Sequence, residues 1–357
     1  MRSKKITGLL LAFTLLLSGC GLPAKRPVNS VINIDSAKAV QTQETTTETT
    51  HKPFEFNPHV YSKKTAERIT EQDYWDSFYN LCDALRKGEK TFKCSTKEAY
   101  EWCTDIAVFC NLFPAAGSKV EGKSDDGSPA FENGIGKIYY KIPVEEFVKT
   151  QKDFEDTIVG IINGAGVEDD DTDYEKALKL YVYCADHFVY RYVDYEGECF
   201  TYHTFRTKEG TCVNFAAVYA YLLLQVNVDA LSVSIYEDNM CHSWTYANIG
   251  GKWYHIDVTW AIHEIHDGGY DTNNDETRLD YFMMSDEERN KDGCLVRDLC
   301  AQMMPEYWVN KTNLSFAATD NSYNLRDYTI FVSLDEKNKV LKYKDIDGNI
   351  QEFHYQK

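Results

Sequence analysis

Three side chains between Gly210 and Trp260 have the types and the spacing that a thiol nucleophile and its base require. Cys212 is the candidate nucleophile, His242 the candidate base, and Asp257 the candidate residue that orients the histidine. In such a site a thiolate attacks a carbonyl carbon, an imidazole takes and returns the proton, and a carboxylate fixes the imidazole tautomer. The sequence therefore predicts catalytic chemistry by these three side chains.

Cys212 is predicted to begin a helix. It follows Gly210-Thr211 and opens the apolar run CVNFAAVYAYLLLQ, whose composition favours a helix starting at or near the cysteine. The positive end of the helix dipole and the N–H groups of the first turn favour thiolate over thiol. We therefore expect the position of Cys212 to activate its sulfur.

His242 and Asp257 lie in two runs rich in aromatic and β-branched residues, separated by Gly250-Gly251. This pattern predicts an antiparallel hairpin. If Ile249 and Lys252 flank a two-residue turn, the two residue numbers in every cross-strand pair add up to about 501. His242 is then paired near residue 259, which makes His242 and Asp257 close diagonal neighbours. A strand histidine facing a cysteine at a helix start is the geometry that a Cys-His ion pair needs.

These motifs resemble those of the transglutaminase-like superfamily, in its bacterial core domain. The resemblance rests on GTCVNFAAVYAYLL, on HSWTYANIGGKWYHIDVTW and, more loosely, on YEKALKLYVYCADHFVYRYVDY, and it covers roughly residues 170 to 285. The family pattern is G-x-C at a helix start, H-x-W on a strand and W-Y-x-x-D-x-T-W on the next, and every position is filled here. The resemblance implies an α+β, papain-like fold in which the nucleophile helix packs on an antiparallel sheet, with Cys212, His242 and Asp257 as a triad.

Two aromatic residues are further candidates at this site. Tyr202 is a candidate donor in the oxyanion region, although a packed aromatic side chain is an equally good interpretation. Trp244, two residues after His242, is a candidate pocket residue. The sequence departs from its bacterial relatives at Val213-Asn214-Phe215, where they often carry a polar residue, Gly and Tyr, so substrate preference stays open.

No cofactor and no metal are predicted, because no C-x-x-C pair appears and the histidines lack ligand spacing. The chain has 11 cysteines. Setting aside Cys20 and Cys212 leaves an odd number, and no pairing follows from their spacing. Cys241 is expected to point to the strand face opposite that of His242.

The N-terminus is predicted to direct export. Residues 1–19 carry basic residues and then an apolar run, as a lipoprotein signal peptide does. Leu17-Ser18-Gly19-Cys20 resembles the bacterial lipobox, and an ordinary signal peptide with an incidental cysteine is the alternative. Lipid on Cys20 would anchor the chain to the outer face of a bacterial membrane, at the cell surface. Residues 20–57 contain a Thr- and Glu-rich tract and are predicted to be a disordered tether.

The remaining chain is predicted to have three parts. Residues 58–165 form an α+β accessory domain, in which STKEAYEWCTDIAVFCNLF is one helix candidate and GKIYYKIPV one strand candidate. Residues 166–290 form the catalytic domain, with a solvated loop after Trp260. Residues 291–357 form a β extension whose alternating strands predict a small meander.

The charge of the chain limits its partners. The formal net charge is -18, and removal of residues 1–19 would take away three positive charges and leave -21. Such a surface argues against nucleic acid and is compatible with a neutral or cationic peptide or protein substrate. We expect hydrolysis of a peptide or amide through a Cys212 thioester. A protein-crosslinking acyl transferase and a non-catalytic surface binding module are the alternatives, and the sequence does not predict an oligomeric state.

Overall fold

The computed structural model of the chain describes residues 54–122, 130–237, 240–291, 293, 299–302 and 315–355. The predicted signal peptide, most of the predicted tether and Cys20 lie outside these residues. The described helices are α1 (Lys63–Ala66), α2 (Gln72–Lys87), α3 (Lys97–Cys103), α4 (Ile106–Leu112), α5 (Val144–Gly164), α6 (Asp173–His187), α7 (Phe200–Thr207), α8 (Cys212–Gln225) and α9 (Asp286–Lys291). None of them is both long and apolar enough to cross a membrane.

Strands alternate with these helices along the chain, so the predicted α+β class is confirmed. The described strands are β1 (Thr91–Lys93), β2 (Val120–Glu121), β3 (Phe131–Glu132), β4 (Ile135–Lys137), β5 (Tyr139–Tyr140), β6 (Val189–Arg191), β7 (Glu209–Gly210), β8 (Ala230–Glu237), β9 (Met240–Ile249), β10 (Lys252–Ile256), β11 (Glu264–Asp267), β12 (Tyr270–Asn273), β13 (Cys300–Ala301), β14 (Ile330–Asp335), β15 (Val340–Lys344) and β16 (Ile350–His354). They form sheets in the orders β1-β4-β3, β2-β5, β10-β9-β8-β13, β12-β11-β6-β7 and β14-β15-β16.

The N-terminal part of the described chain is built around α2. Its apolar residues recur at helical spacing, and Trp75, Phe78, Leu81 and Leu85 are all buried. The helix ends at Gly88, whose φ of 71° is the left-handed conformation that glycine adopts without a steric penalty. This face packs against α3 and α5 and closes the core on that side.

Two predicted elements of this region were wrong in detail. The single predicted helix over STKEAYEWCTDIAVFCNLF is broken between α3 and α4, because Asp105 caps a new helix by accepting a hydrogen bond from the Ala107 N–H at 2.8 Å. The single predicted strand over GKIYYKIPV is divided into β4 and β5, which belong to different sheets.

The central sheet carries the predicted hairpin, and its register is confirmed. Lys252 pairs with Ile249, and the pairing continues regularly to Ile256 and Thr245. On the other side of β9, His242 pairs with Ile235 of β8. The two-residue turn at Gly250-Gly251 therefore fixes which residues of the two strands lie opposite each other.

The predicted solvated loop after Trp260 was wrong in part. Residues 264–273 form an antiparallel hairpin of β11 and β12, and β11 pairs in parallel with β6. The polar residues of this hairpin favour a loop locally. Pairing with β6, far away in the sequence, supplies the backbone hydrogen bonds that make the segment a strand.

Helix α8 lies at the centre of the molecule. All of its residues are buried except Val213, as expected for a helix covered on every side. The central sheet packs on one side of α8, and α4, α6 and α7 contact it as well. The N-terminal part shares this core, since Phe154 of α5 packs against Tyr221 of α8 with ring centroids 5.9 Å apart.

The C-terminal strands β14, β15 and β16 form the predicted antiparallel meander. It is fastened to α6 at Glu175, where the Lys339 ammonium lies 2.7 Å from the carboxylate. The Tyr355 ring stacks on Tyr174 at 4.3 Å between centroids. These contacts join the end of the chain to the helix that also packs on α8.

Candidate active site

The structure places Cys212 at the first position of α8, as predicted. Thr211 has an extended backbone, and its N–H donates to the Asn214 side-chain oxygen at 3.0 Å. This is the reciprocal arrangement that stabilises a helix start, with Asn214 in the place usually taken by Glu or Gln. The first-turn N–H groups and the helix dipole therefore act at the sulfur of Cys212.

Asn214 also joins this helix start to its surroundings. It is fully buried, and its amide nitrogen donates to the Thr204 hydroxyl of α7 at 2.8 Å. The Tyr195 hydroxyl donates to the Asn214 oxygen at 2.9 Å. These contacts explain why Asn214 occupies a position where bacterial relatives often carry glycine, because hydrogen bonds with four residues fix its side chain.

Gly210 is required by this packing. A Cβ at Gly210 would lie 2.7 Å from the Asn214 Cβ and 3.0 Å from the Thr204 hydroxyl oxygen, closer than ordinary contact. The glycine before the cysteine thus allows β7 to approach the buried start of α8. Its role in this structure is close packing, not an unusual backbone angle.

Strand β9 brings His242 to the same end of the core as the start of α8. The Thr245 hydroxyl donates to the carbonyl of Ala216, which lies one helical turn after Cys212, at 2.9 Å. Helix α8 and β9 run in the same direction, because β8 follows α8 and is antiparallel to β9. Cys212 lies one helical turn, about 5.4 Å, before Ala216, and two residues of a strand span roughly the same distance. Counting back two residues from Thr245 therefore places Cys212 near the level of Ser243 and His242.

His242 and Asp257 meet as the hairpin register predicts. The His242 Nε2 lies 2.6 Å from the Asp257 Oδ2, and the carboxylate is fully buried. The Asp257 carboxylate holds a proton on Nε2 of His242, so Nδ1 is the nitrogen that can accept a proton from a thiol. Asp257 follows the end of β10, where its N–H donates to the Tyr281 carbonyl at 3.0 Å.

Arg289 is a charged partner of the site that sequence reasoning missed. Its guanidinium donates to the same Asp257 Oδ2 at 2.8 Å and lies over the Trp244 ring, 4.2 Å from the centroid. Arg289 is fully buried. Burial by itself raises the pKa of the Asp257 carboxyl, but the charges of His242 and Arg289 outweigh burial, so the pKa lies below its usual value. Asp257 is therefore held ionised.

A second histidine, His255, contacts the site through Trp244. The Trp244 indole N–H donates to Nδ1 of His255 at 3.0 Å, and Nε2 of His255 lies 3.0 Å from Asp286 Oδ1. Because indole nitrogen only donates, Nδ1 of His255 must be unprotonated. Burial lowers the pKa of His255 and outweighs the opposite effect of Asp286. His255 is therefore a neutral bridge that fixes Trp244.

The two predicted aromatic candidates have different surroundings. Trp244 is 1% exposed and is held by His255 and Arg289, so it lies behind His242 and Asp257. Tyr202 packs on Phe154 at 5.9 Å, and the Lys119 ammonium lies 4.4 Å from its ring centroid. These contacts favour the packed-aromatic interpretation of Tyr202, and its role at the oxyanion stays a prediction.

Tyr195 and Trp260 are nearer to the predicted chemistry, and sequence reasoning missed both. Burial raises the pKa of Tyr195, its hydrogen bonds with Asn214 and Thr211 oppose this, and the charge of a Cys212 thiolate raises it further. Trp260 lies 6.2 Å from the His242 ring and stacks on Tyr281 at 5.3 Å. The WYHIDVTW motif contains Trp260 and could have identified it, whereas nothing near Tyr195 in the sequence gave such a signal.

The site is almost closed to solvent. Cys212 is 4% exposed and His242 8%, while Asp257 is fully buried. Charges interact more strongly in such a water-poor setting than in water. Within the described ranges no group of three or more His, Cys, Asp or Glu side chains is arranged to hold a metal ion.

Comparison with known proteins agrees with the motif. The family model of the transglutaminase-like superfamily matches residues 162–258, which include Cys212, His242 and Asp257. The comparison with curated proteins gave no match.

Two solved structures resemble parts of the chain. One is described as a "Putative Cysteine Protease from Cytophaga hutchinsonii", with 17% identity over 31% of this chain and 39% of that chain, and a TM-score of 0.26. The other is described as a "TGase", with 18% identity over 38% of this chain and 36% of that chain, and a TM-score of 0.28. The present chain thus spans less than half the length of each.

Members of the matched superfamily are typically cysteine-dependent enzymes, which supports a thiol enzyme as the general class of this protein. By the family match and the motifs that it covers, residues 162–258 belong to the transglutaminase-like superfamily.

Proposed function

We propose that this protein is a thiol hydrolase that cleaves a peptide or amide bond through an acyl-Cys212 intermediate. The observation that carries the proposal is the 2.6 Å contact between His242 Nε2 and Asp257 Oδ2. It leaves Nδ1 of His242 as the proton acceptor, at the end of the core where α8 begins with Cys212. The pair supplies the oriented base that a thiol nucleophile needs.

In the proposed reaction, Nδ1 of His242 takes the Cys212 proton, and the thiolate attacks the carbonyl carbon of the substrate. The C–N bond then breaks, and His242 returns the proton to the departing amine, leaving a thioester on Cys212. Asp257 stabilises the imidazolium form of His242 without being protonated itself. Water then attacks the thioester carbonyl while His242 accepts its proton, the C–S bond breaks to release the carboxylic acid, and His242 returns the proton to the Cys212 sulfur.

The acceptor decides between hydrolysis and acyl transfer. Water is present at every protein surface, whereas transfer requires a second site that holds an amine, so we propose hydrolysis as the main outcome. The net charge of -18 favours neutral or cationic peptides over anionic ones. Crosslinking through a lysine amine is the competing outcome, because both reactions share the same thioester.

The test uses a library of glutamine-containing peptides in water enriched in oxygen-18, with and without an added primary amine. Hydrolysis is expected to give a carboxylate that carries the heavy oxygen, both with and without the amine. Transfer of the acyl group only to the amine would overturn hydrolysis and establish the acyl transferase.

Variants of the predicted triad test whether Cys212 does this chemistry. Cys212→Ala should abolish turnover, and Asp257→Asn should lower it by a factor of about 10⁴, the loss typical of a misoriented base. Cys241→Ala is the matched control and should leave turnover unchanged. Absence of any product with the unaltered protein, together with no activation of Cys212, would support a non-catalytic binding module.

We also propose that lipid on Cys20 anchors the protein to the outer face of a bacterial membrane. The support is the order of basic residues, apolar run and Leu17-Ser18-Gly19-Cys20. The expected result is that the full chain, expressed in a bacterium, partitions into the detergent phase of a cloud-point extraction, while Cys20→Ala stays in the aqueous phase. Equal partitioning of the two forms would contradict lipidation at Cys20.

A further inference from the structure

Two buried cysteines outside the catalytic site lie against each other. Cys110 belongs to α4, and Cys199 immediately precedes α7. They are 1% and 2% exposed. They come from distant parts of the sequence, one N-terminal to the segment that matches the superfamily and one within it. Their meeting is therefore a product of the fold, and sequence spacing could not show it.

Gly117 lies beside both sulfurs. A Cβ at Gly117 would lie 3.1 Å from the Cys199 Sγ and 3.3 Å from the Cys110 Sγ. Both sulfurs thus border the same small space, which any side chain at position 117 would fill. Helices α4 and α7 also pack directly on each other.

The two thiols differ in acidity. Burial alone raises the pKa of Cys199, but a hydrogen bond from Cys110 and the N–H groups of Tyr202 and Thr201 outweigh burial and lower it. Burial raises the pKa of Cys110 well above its usual value. Cys199, the thiol with the lowered pKa, is therefore the one of the two that more easily supplies the thiolate that begins thiol–disulfide exchange.

We propose that Cys110 and Cys199 form a disulfide when the chain folds in the presence of a disulfide oxidant. The Cys199 thiolate attacks the oxidant, such as oxidised glutathione, and releases one thiol. The Cys110 thiol then gives its proton to the departing thiolate as its sulfur attacks the mixed disulfide at the Cys199 sulfur, which releases the second thiol. Two S–H bonds are lost, one S–S bond forms, and the two protons and two electrons reduce the oxidant to two thiols.

This bond would join α4 to the helix that supports the nucleophile. Asn214, two residues after Cys212, donates to the Phe200 carbonyl at 3.3 Å and to the Thr204 hydroxyl at 2.8 Å, and both partners are in α7. The disulfide would also close a long loop between residues 110 and 199, which restricts the unfolded chain. The redox state of the pair would therefore set the stability of the structure that holds Cys212.

A second cysteine pair provides an internal comparison. Cys94 and Cys103 also hydrogen bond through their side chains, but they enclose a short segment within the N-terminal part. A bond between them would not connect that part to α7. Removing this pair therefore isolates the effect of Cys110 and Cys199.

The test is refolding of the reduced full chain in a glutathione redox buffer, followed by alkylation of the remaining thiols. Digestion with trypsin and with a protease that cuts before Asp105 separates Cys103 from Cys110, so mass spectrometry can identify the linked partner. The expected result is a Cys110–Cys199 peptide and a melting temperature roughly 5 °C above that of the reduced protein.

Variants establish that this pair is the cause. The rise in melting temperature should disappear in Cys110→Ala and in Cys199→Ala, and it should persist in the double variant Cys94→Ala/Cys103→Ala. Because either single variant could fold poorly, the linked peptide in the unaltered chain is the independent readout. Quantitative alkylation of both Cys110 and Cys199 after oxidative refolding would overturn the proposal.

Discussion

Four buried groups determine the charge around the predicted nucleophile. Cys212 and His242 exchange a proton in the proposed reaction. Asp257 and Arg289 form an ion pair at 2.8 Å, and both side chains are buried. The Arg289 charge keeps the site close to electrically neutral when the thiolate and imidazolium form. Removal of one charge would leave its partner uncompensated in a region of low dielectric.

A double-mutant cycle on this pair gives the first prediction. Asp257→Asn and Arg289→Met should each lower the free energy of unfolding by about 3 kcal/mol, because each leaves a buried charge without its partner. The double variant should be more stable than the sum of the two losses implies, by about 2 kcal/mol. Urea unfolding at neutral pH measures all four proteins, and strictly additive losses would contradict a direct interaction.

The start of α8 depends on close packing between a strand, a helix and one buried amide. Strand β7 ends at Gly210, Asn214 occupies the space beside it, and α7 supplies Thr204. This arrangement sets the direction of the first turn and hence the position of the sulfur. A small displacement of the first turn of α8 should therefore lower the rate of the proposed reaction even where the rest of the fold is unchanged.

Gly210→Ala tests this arrangement. The new methyl group would lie 2.7 Å from the Asn214 Cβ, so the helix start must shift, and we expect a loss of about 2 kcal/mol in unfolding free energy. Gly160→Ala is the matched control, because it lies in α5 with nothing within 4 Å of its added Cβ. It should be neutral or stabilising by about 1 kcal/mol. Equal effects of the two substitutions on thermal unfolding would contradict the packing role of Gly210.

Local patterns predicted most of the elements that position the site. The turn at Gly250-Gly251 fixed the pairing of β9 with β10, and the apolar run after Cys212 predicted α8. The break before α4 was missed because Asp105 lies in a stretch that otherwise has helical spacing. The β11 strand was missed because its partner β6 is distant in the sequence.

The molecule as a whole is held together by contacts that no short pattern predicts. Arg289 of α9 forms an ion pair with Asp257. The sequence of α9 is polar and is typical of a helix on the surface. Glu175 joins α6 to the C-terminal meander through Lys339 and Tyr355. Such buried charges are visible only when distant segments are brought together, which is why sequence reasoning predicted the contact between His242 and Asp257 but not the contact with Arg289.

Acid should weaken the attachment of the meander. Burial raises the pKa of Glu175, but hydrogen bonds from Lys339, Tyr355 and the helix cap outweigh it and lower the pKa from 4.5 to about 2. A lowered pKa means that the ionised carboxylate stabilises the fold above pH 4.5 and that this contribution is lost as the pH falls toward 2.

Glu175→Gln should therefore unfold at a lower temperature than the unaltered protein at pH 6, with a loss of about 2 kcal/mol that shrinks steadily below pH 4. Glu352→Gln is the control, because that carboxylate lies on the same meander and its side chain is 54% exposed. It should change stability by less than about 1 kcal/mol. Thermal unfolding from pH 6 to pH 3 measures both, and a difference independent of pH would contradict the Glu175 account.

The most direct test of the proposed chemistry compares the alkylation of Cys212 and Cys241 by iodoacetamide between pH 5 and pH 9, with each site followed by peptide mapping. Cys241 is the more exposed of the two, so reactivity governed by exposure would label it first. Mapping also separates Cys94, whose pKa is lowered to about 7 mainly by its hydrogen bond with Cys103. We predict that Cys212 reacts faster than Cys241 below pH 7 and that His242→Ala removes this advantage. Labelling of Cys212 no faster than that of Cys241 across the whole pH range would contradict an activated thiolate and the enzymatic function with it.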